Sequence, residues 1–208
     1  MQYASFTRSA TKVSRIAVGC EQLGGTDWGA YDREETLRAV ARAAEFGINA
    51  FDTADVYSLG ESERCLARAL GARRHEAFII TKGGVRWDLP PGESRARCWF
   101  DLNPAYLQAA IEDSLRRLDI AVIPLYLLHA PDPSVPIEQT LEAVVRLKEA
   151  GKIGAIGLSN FPLDGIKRAA GLAEIAAVQV RYNLLERAPE AELLPWCRER
   201  GIGVLAYG

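Results

Sequence analysis

The sequence predicts an α/β protein built on a parallel sheet, and three observations carry that expectation. Short apolar runs alternate seven times with amphipathic helical segments. The runs show no period of two, so their strands are covered on both faces, as parallel strands are. Several of them end in a polar or titratable residue, which is where a (β/α)8 barrel of the TIM type builds its active site. A doubly wound nucleotide-binding sheet is disfavoured, because "GCEQLGGTDWG" after the first run carries neither G-x-G-x-x-G nor a Walker lysine.

Taken in order, "MQYASFTRSATKVS" predicts a small N-terminal hairpin that closes the far end of the barrel, and "SRIAVG" the first barrel strand. "DREETLRAVARAAEFG" predicts a helix: Asp32 stands at the N-cap, Glu35 at the capping-box position, Leu37, Val40, Ala41 and Ala44 on one face, and Gly47 past the end. "INAFDT" is the second strand and "AFIITK" the third, with the helix of "GESERCLARAL" between them. Residues 83 to 102 read as a long loop. "NPAYLQAAIEDSLRRLD" then predicts a helix with Asn103 as N-cap, Pro104 at its first position and a stripe through Leu107, Ile111, Leu115 and Leu118. "AVIPLYLLH" is the fourth strand, "PIEQTLEAVVRLKEAGK" a helix ending at Gly151, and "IGAIGLS", "AAVQVRY" and "IGVLAY" the last three strands.

Composition bounds the function. With 208 residues, 49% of them apolar and 25% charged, the chain buries a core of ordinary size, and one domain over residues 1–208 is the expectation. A net charge of −2 with no basic stripe argues against nucleic acid as a partner. No apolar run has the length of a membrane span and the first twenty residues lack an apolar signal core, so a cytoplasmic protein is expected. Cys20, Cys65, Cys98 and Cys197 lie far apart without a C-x-x-C pair, which predicts reduced thiols and neither a zinc site nor a disulfide framework.

Four titratable groups then fall at successive strand ends: Asp52, Tyr57 in the loop that follows it, Lys82 and His129. Each alone has an ordinary explanation as a turn cap, a rim aromatic, a solvated lysine or a satisfied imidazole. Together they are harder to dismiss. A lysine at the end of an apolar run is desolvated and needs a counter-charge, and Asp52 is the carboxylate one strand away. An ammonium and an imidazole beside Tyr57 would lower its phenol pKa from about 10 and make it a general acid. Such an acid is wanted where negative charge develops on a carbonyl oxygen under hydride attack.

"GINAFDTADVYSLGESERCLARAL", "FIITKGG", "LYLLHAPD", "KIGAIGLSNF", "VQVRYNLLER" and "GIGVLAY" together resemble the aldo-keto reductases, from about Phe6 to Tyr207. The resemblance implies NAD(P)H-dependent reduction of an aldehyde or ketone on a (β/α)8 barrel. Its catalytic tetrad would fall on Asp52, Tyr57, Lys82 and His129. Ser159, Asn160 and Gln179 would hold the nicotinamide carboxamide and Tyr207 would stack on the ring, with NADPH the expected cofactor and NADH a possible one. The partner would be a small carbonyl compound.

Seven strands and about six helices are counted where a closed barrel needs eight of each, so the barrel is expected to be incomplete, without strand eight and its phosphate contacts. Open edges on the first and last strands predict self-association. A catalytically impaired fragment or a non-catalytic cofactor-binding relative is the alternative function. Glu21 departs from the uncharged residues usual in that family at this place; it either faces solvent, the favoured reading, or tunes substrate choice. Trp28, Trp87 and Trp99 are candidate walls of a substrate pocket, weighed equally against anchoring long loops onto the barrel rim; Arg86, Arg95 and Arg97 are candidate contacts for an anionic substrate or cofactor phosphate, although arginines in solvated loops need no function.

Overall fold

The computed structural model describes residues 1–5, 11–25, 31–91, 93 and 96–208. Trp28 and Arg95 lie outside the described residues. Seven parallel strands form one open sheet: β3 (Ala17–Gly19), β4 (Ala50–Asp52), β5 (Phe78–Gly83), β8 (Ile123–Leu128), β9 (Ile153–Ser159), β10 (Ile175–Arg181) and β11 (Gly203–Tyr207). They are hydrogen-bonded in the order β11-β10-β9-β8-β5-β4-β3, so the elements follow chain order around an arc whose edges are β3 and β11. This is the incomplete (β/α)8 barrel that the sequence predicts. No helix among the described residues is long and apolar enough to cross a membrane.

Among the described residues six helices cover the outer face: α1 (Arg33–Glu45), α2 (Glu61–Leu70), α3 (Pro104–Leu118), α4 (Ile137–Glu149), α5 (Leu163–Ala170) and α6 (Leu193–Arg200). The capping signals act as read. The Asp32 side chain accepts from the Glu35 amide and the Asn103 side chain from the Ala105 amide, which gives two otherwise unpaired N-terminal donors a partner. Between sheet and helices, Leu107, Ile111, Leu128, Val144, Ile156, Leu158 and Ile166 form the outer core. Inside the arc, Ile80, Leu125, Leu127 and Ala177 face one another, and alternation along each strand separates the two layers.

The N-terminal hairpin is present as β1 (Tyr3–Ser5) paired antiparallel with β2 (Lys12–Ser14). Val13 enters the inner core beside Ala50 and Phe78, the first residues of their strands, so the hairpin plugs the N-terminal end of the arc. Ser14 Oγ accepts from the Asn49 and Ala50 amides and locks it there. Two strands that the sequence reading missed lie in the 83–102 stretch. Val85–Asp88 (β6) and Arg97–Phe100 (β7) form a second antiparallel hairpin, with Trp87 opposite Cys98 and Arg86 opposite Trp99.

Candidate active site

The strand ends converge at the carboxyl face of the sheet. Asp52 closes β4, Lys82 lies next to last in β5, His129 follows β8 and Ser159 closes β9. Between β4 and α2 the chain makes a single 3-10 turn, Tyr57–Gly60, in which Ser58 (φ 48°), Leu59 (φ 56°) and Gly60 (φ 86°) are all left-handed. Two non-glycine residues in that region store strain, which persists because the turn is pinned on both sides. Thr53 and Asp55 amides donate to the Ile80 and Lys82 carbonyls, and Ser62 Oγ bridges Thr53 Oγ1 (2.8 Å) and the Cys20 carbonyl (2.6 Å).

Lys82 is 1% exposed, and its ammonium has one acceptor for each of its three protons: Asp52 Oδ1 at 2.6 Å, the Thr53 carbonyl at 2.8 Å and Tyr57 Oη at 3.3 Å. Burial by itself pushes its pKa down, but the Asp52 carboxylate and the Tyr57 oxygen outweigh burial and hold it above the usual lysine value. These contacts favour the charged ammonium. The Tyr57 phenol goes the opposite way from the expectation. Burial raises its pKa, Lys82 lowers it, and Asp52 and Glu21 add negative charge that raises it again, so the net direction is upward. His129 does not help to lower it, because burial and the Lys82 charge push the imidazole down to about 3. His129 is a neutral ring, edge-on to Tyr57 with centroids 5.9 Å apart, and its Nδ1 is buried with no hydrogen-bond partner.

A continuous set of hydrogen bonds links the remaining predicted residues to this group. Gln179 Nε2 donates to Asp52 Oδ2 (2.7 Å), Ser159 Oγ donates to Gln179 Oε1 (3.3 Å), and Asn160 Nδ2 donates to both Ser159 Oγ and the His129 carbonyl (3.1 Å each). Tyr207 Oη donates to Asn160 Oδ1 at 2.5 Å. Asn160 sits at φ 60°, a left-handed position that asparagine tolerates better than most residues and that turns its amide back over the strand ends.

Asp52, Tyr57, His129, Ser159, Asn160, Gln179 and Tyr207 line one cavity of about 430 Å³, with Lys82 buried behind Asp52 and Tyr57. The four residues expected as the tetrad and the four expected to hold the nicotinamide thus meet at one place. Gly19, Cys20, Glu21, Gln22 and Gly208 complete the wall. The first four follow or end β3, a position that itself marks residues of a barrel mouth, and only Glu21 was singled out. Glu21 is exposed and lines this cavity at once. Trp87 and Trp99 do not line it, and Arg86 and Arg97 are paired with Asp101 and Glu93.

The chemistry of the wall suits a nicotinamide. Two amides and a hydroxyl (Asn160, Gln179, Ser159) offer donors and acceptors to a carboxamide, and the 40%-exposed Tyr207 ring is available for stacking. Comparison with known proteins agrees. The model of the Aldo/keto reductase family matches residues 15–208. Aldo-keto reductase YhdN of Bacillus subtilis is 35% identical over all of this chain and 62% of its own length, and probable aldo-keto reductase 1 of Glycine max 36% identical over 94% and 56%. The chain therefore spans about 60% of the length of the curated relatives it matches. Among solved structures, the glycerol dehydrogenase AKR11B4 of Gluconobacter oxydans is 35% identical and superposes with a TM-score of 0.92 over 99% of this chain and 63% of that one. An aldo-keto reductase of Klebsiella pneumoniae solved with NADPH is 28% identical, with a TM-score of 0.77 over 94% and 64%. The family model from residue 15 onward and the shared fold place the chain: it belongs to the aldo/keto reductase family.

Proposed function

We propose that the protein reduces an aldehyde or ketone to an alcohol with NADPH, NADH being the possible substitute, and that Tyr57 donates the proton. The observation that carries this reading is the buried Lys82 ammonium with Asp52 on one side and the Tyr57 oxygen on the other. The cofactor, held by Ser159, Asn160, Gln179 and Tyr207, would supply the hydride that attacks the carbonyl carbon. The pair of electrons displaced onto the carbonyl oxygen then takes the Tyr57 proton, leaving a phenolate. Lys82 stabilises that phenolate by charge, and Asp52 keeps Lys82 charged and aimed. The raised ground-state pKa of Tyr57 keeps it protonated until negative charge appears on the substrate. His129, neutral at any working pH, orients the carbonyl oxygen as a hydrogen-bond donor and does not compete for the proton. A reducing cytoplasm suits four cysteines without a disulfide.

The test is carbonyl-dependent oxidation of NADPH by the wild type and by Tyr57→Phe. The reading requires loss of turnover in a variant whose circular dichroism is unchanged, and equal rates would sink it.

A further inference from the structure

One charged residue in the wall of the catalytic cavity has no part in the proposed proton transfer. Glu21 is exposed and lines that cavity together with Asp52, Tyr57 and His129. We propose, resting on the reading of Tyr57 as proton donor to a carbonyl, that Glu21 determines specificity: it selects carbonyl substrates that carry a cationic group such as an ammonium and rejects those that carry a carboxylate.

The turn after β3 fixes where this carboxylate stands. The Cys20 amide donates to the Asp52 carbonyl at 2.8 Å, and the Cys20 carbonyl accepts from Ser62 Oγ at 2.6 Å and from the Leu23 amide at 3.1 Å. Cys20 and Leu23 are buried, so the two exposed residues between them, Glu21 and Gln22, are left facing the mouth. The space beside them is open, since a Cβ built on Gly19 would meet nothing within 4 Å.

No cation in the wall answers Glu21. Among the described residues lining the cavity none is a lysine or an arginine, and Glu21 has no ion-pair partner among the described residues. The stretch that follows it, QLGGTDWGA, contains neither residue type. Lys82, behind the wall, is paired with Asp52 at 2.6 Å, and His129 is neutral. The charge left over in the cavity is negative, and a cleft lined by one sign of charge concentrates counter-ions and repels co-ions.

Glu21 also stands on the proton donor's side of the sheet. It follows β3, which pairs with β4, and β4 with the turn after it supplies Asp52 and Tyr57. Ser159, Gln179 and Tyr207 come from β9, β10 and β11, at the other end of the strand order. The Glu21 charge reaches the Tyr57 phenol and helps to keep it protonated. A carbonyl whose oxygen rests on Tyr57 Oη brings the groups on its carbon into the same field.

The test is competition between para-trimethylammonio-benzaldehyde and para-carboxybenzaldehyde for reduction by NADPH, with the two product alcohols measured by mass spectrometry. An exposed charge contact changes kcat/KM by about two- to fivefold, so attraction of one aldehyde and repulsion of the other make the cationic-to-anionic ratio about tenfold higher in wild type than in Glu21→Gln. Glu21→Lys inverts the preference, and about 1 M NaCl shrinks it. Comparing the ratio between enzymes cancels the ring electronics of the aldehydes and any general effect of Glu21 on Tyr57. The same ratio in wild type and Glu21→Gln overturns the proposal. So does an unchanged ratio with a selective loss of affinity for NADP+ over NADPH, which would put the carboxylate against the cofactor ring. If neither aldehyde is reduced, the reductase reading fails, and equilibrium dialysis of the two corresponding benzyl alcohols still decides the charge preference: tighter binding of the cationic one, lost in Glu21→Gln, supports it, and equal binding or none overturns it.

Discussion

Lys82 Nζ lies 2.6 Å from Asp52 Oδ1 across adjacent parallel strands, the lysine 1% and the aspartate 17% exposed. The strand ends in a carboxylate because the next one buries an ammonium, and the pair is stable only with both members. Asp52→Asn leaves Lys82 an uncompensated buried cation and is expected to destabilise the fold by about 3 kcal/mol, as breaking buried pairs does. Denaturant unfolding measures it, and a loss under about 1 kcal/mol would place the ammonium in better contact with water than its burial indicates.

Tyr57→Phe removes one oxygen that contacts Lys82 and leaves the two shorter acceptors in place. Thermal stability should change by about 1 kcal/mol or less, while kcat for carbonyl reduction falls by about a hundredfold or more, the range of a positioned general acid. A large stability loss with proportionate activity loss would make the tyrosine a packing residue.

Stability against pH should show two opposing slopes. His129 has its pKa depressed to about 3 in the folded state, so the unfolded chain binds a proton that the native one refuses as pH falls below about 6.5. Its contribution is complete above that value and is lost on acidification. Asp55 is raised to about 8 by its burial, so the native state keeps a proton the unfolded chain releases above about 4, and stability falls as pH rises from there to about 8. Between about 4 and 6.5 the two cancel. From about 6.5 to 8 only Asp55 acts, with a slope of up to about 1.4 kcal/mol per unit that Asp55→Asn abolishes. His129→Asn should leave the Asp55 slope uncompensated, so that stability falls with pH all the way from about 4 to 8, and melting curves at intervals of pH check both.

Arg117 holds a carboxylate with no exposure at all. Arg117→Met is expected to cost about 3 to 5 kcal/mol by stranding Glu63, and Arg117→Met with Glu63→Gln to recover much of it. Urea unfolding of the single and double variants provides the cycle; purely additive losses would mean that the pair is not coupled.

The arc leaves β3 and β11 as edges, with Val204, Tyr207, Leu184 and Leu185 exposed beside the latter. We propose that the 208-residue polypeptide self-associates through these edges. Light scattering should show a mass above that of the monomer, growing with concentration, and a concentration-independent monomer would contradict it.

The apolar runs and their polar ends were legible because burial on both faces and chemistry at the strand end leave separate marks: a run such as AFII, then Lys82. Helix boundaries at Asp32 and Asn103 were equally plain, since capping is local. The β6–β7 hairpin was not, because its Arg, Trp and Cys residues alternate without a core to face and its strands are largely exposed. The direction of the Tyr57 pKa was also misjudged. Sequence shows which charges are near, but desolvation of the phenol and the neutrality of His129 depend on depth. Asp55 passed unnoticed between Asp52 and Tyr57, since nothing in "DTADVY" tells a turn cap from a buried acid.

The most direct test of the central claim is to incubate the protein with an aromatic aldehyde and NADPH carrying deuterium at its transferable position, and to analyse the product alcohol by mass spectrometry and NMR. The account predicts one deuterium on the carbinol carbon with wild type and almost no alcohol with Tyr57→Phe. Recovery of unchanged aldehyde from wild-type protein shown to bind NADPH would contradict it, as would equal deuterated alcohol from the variant.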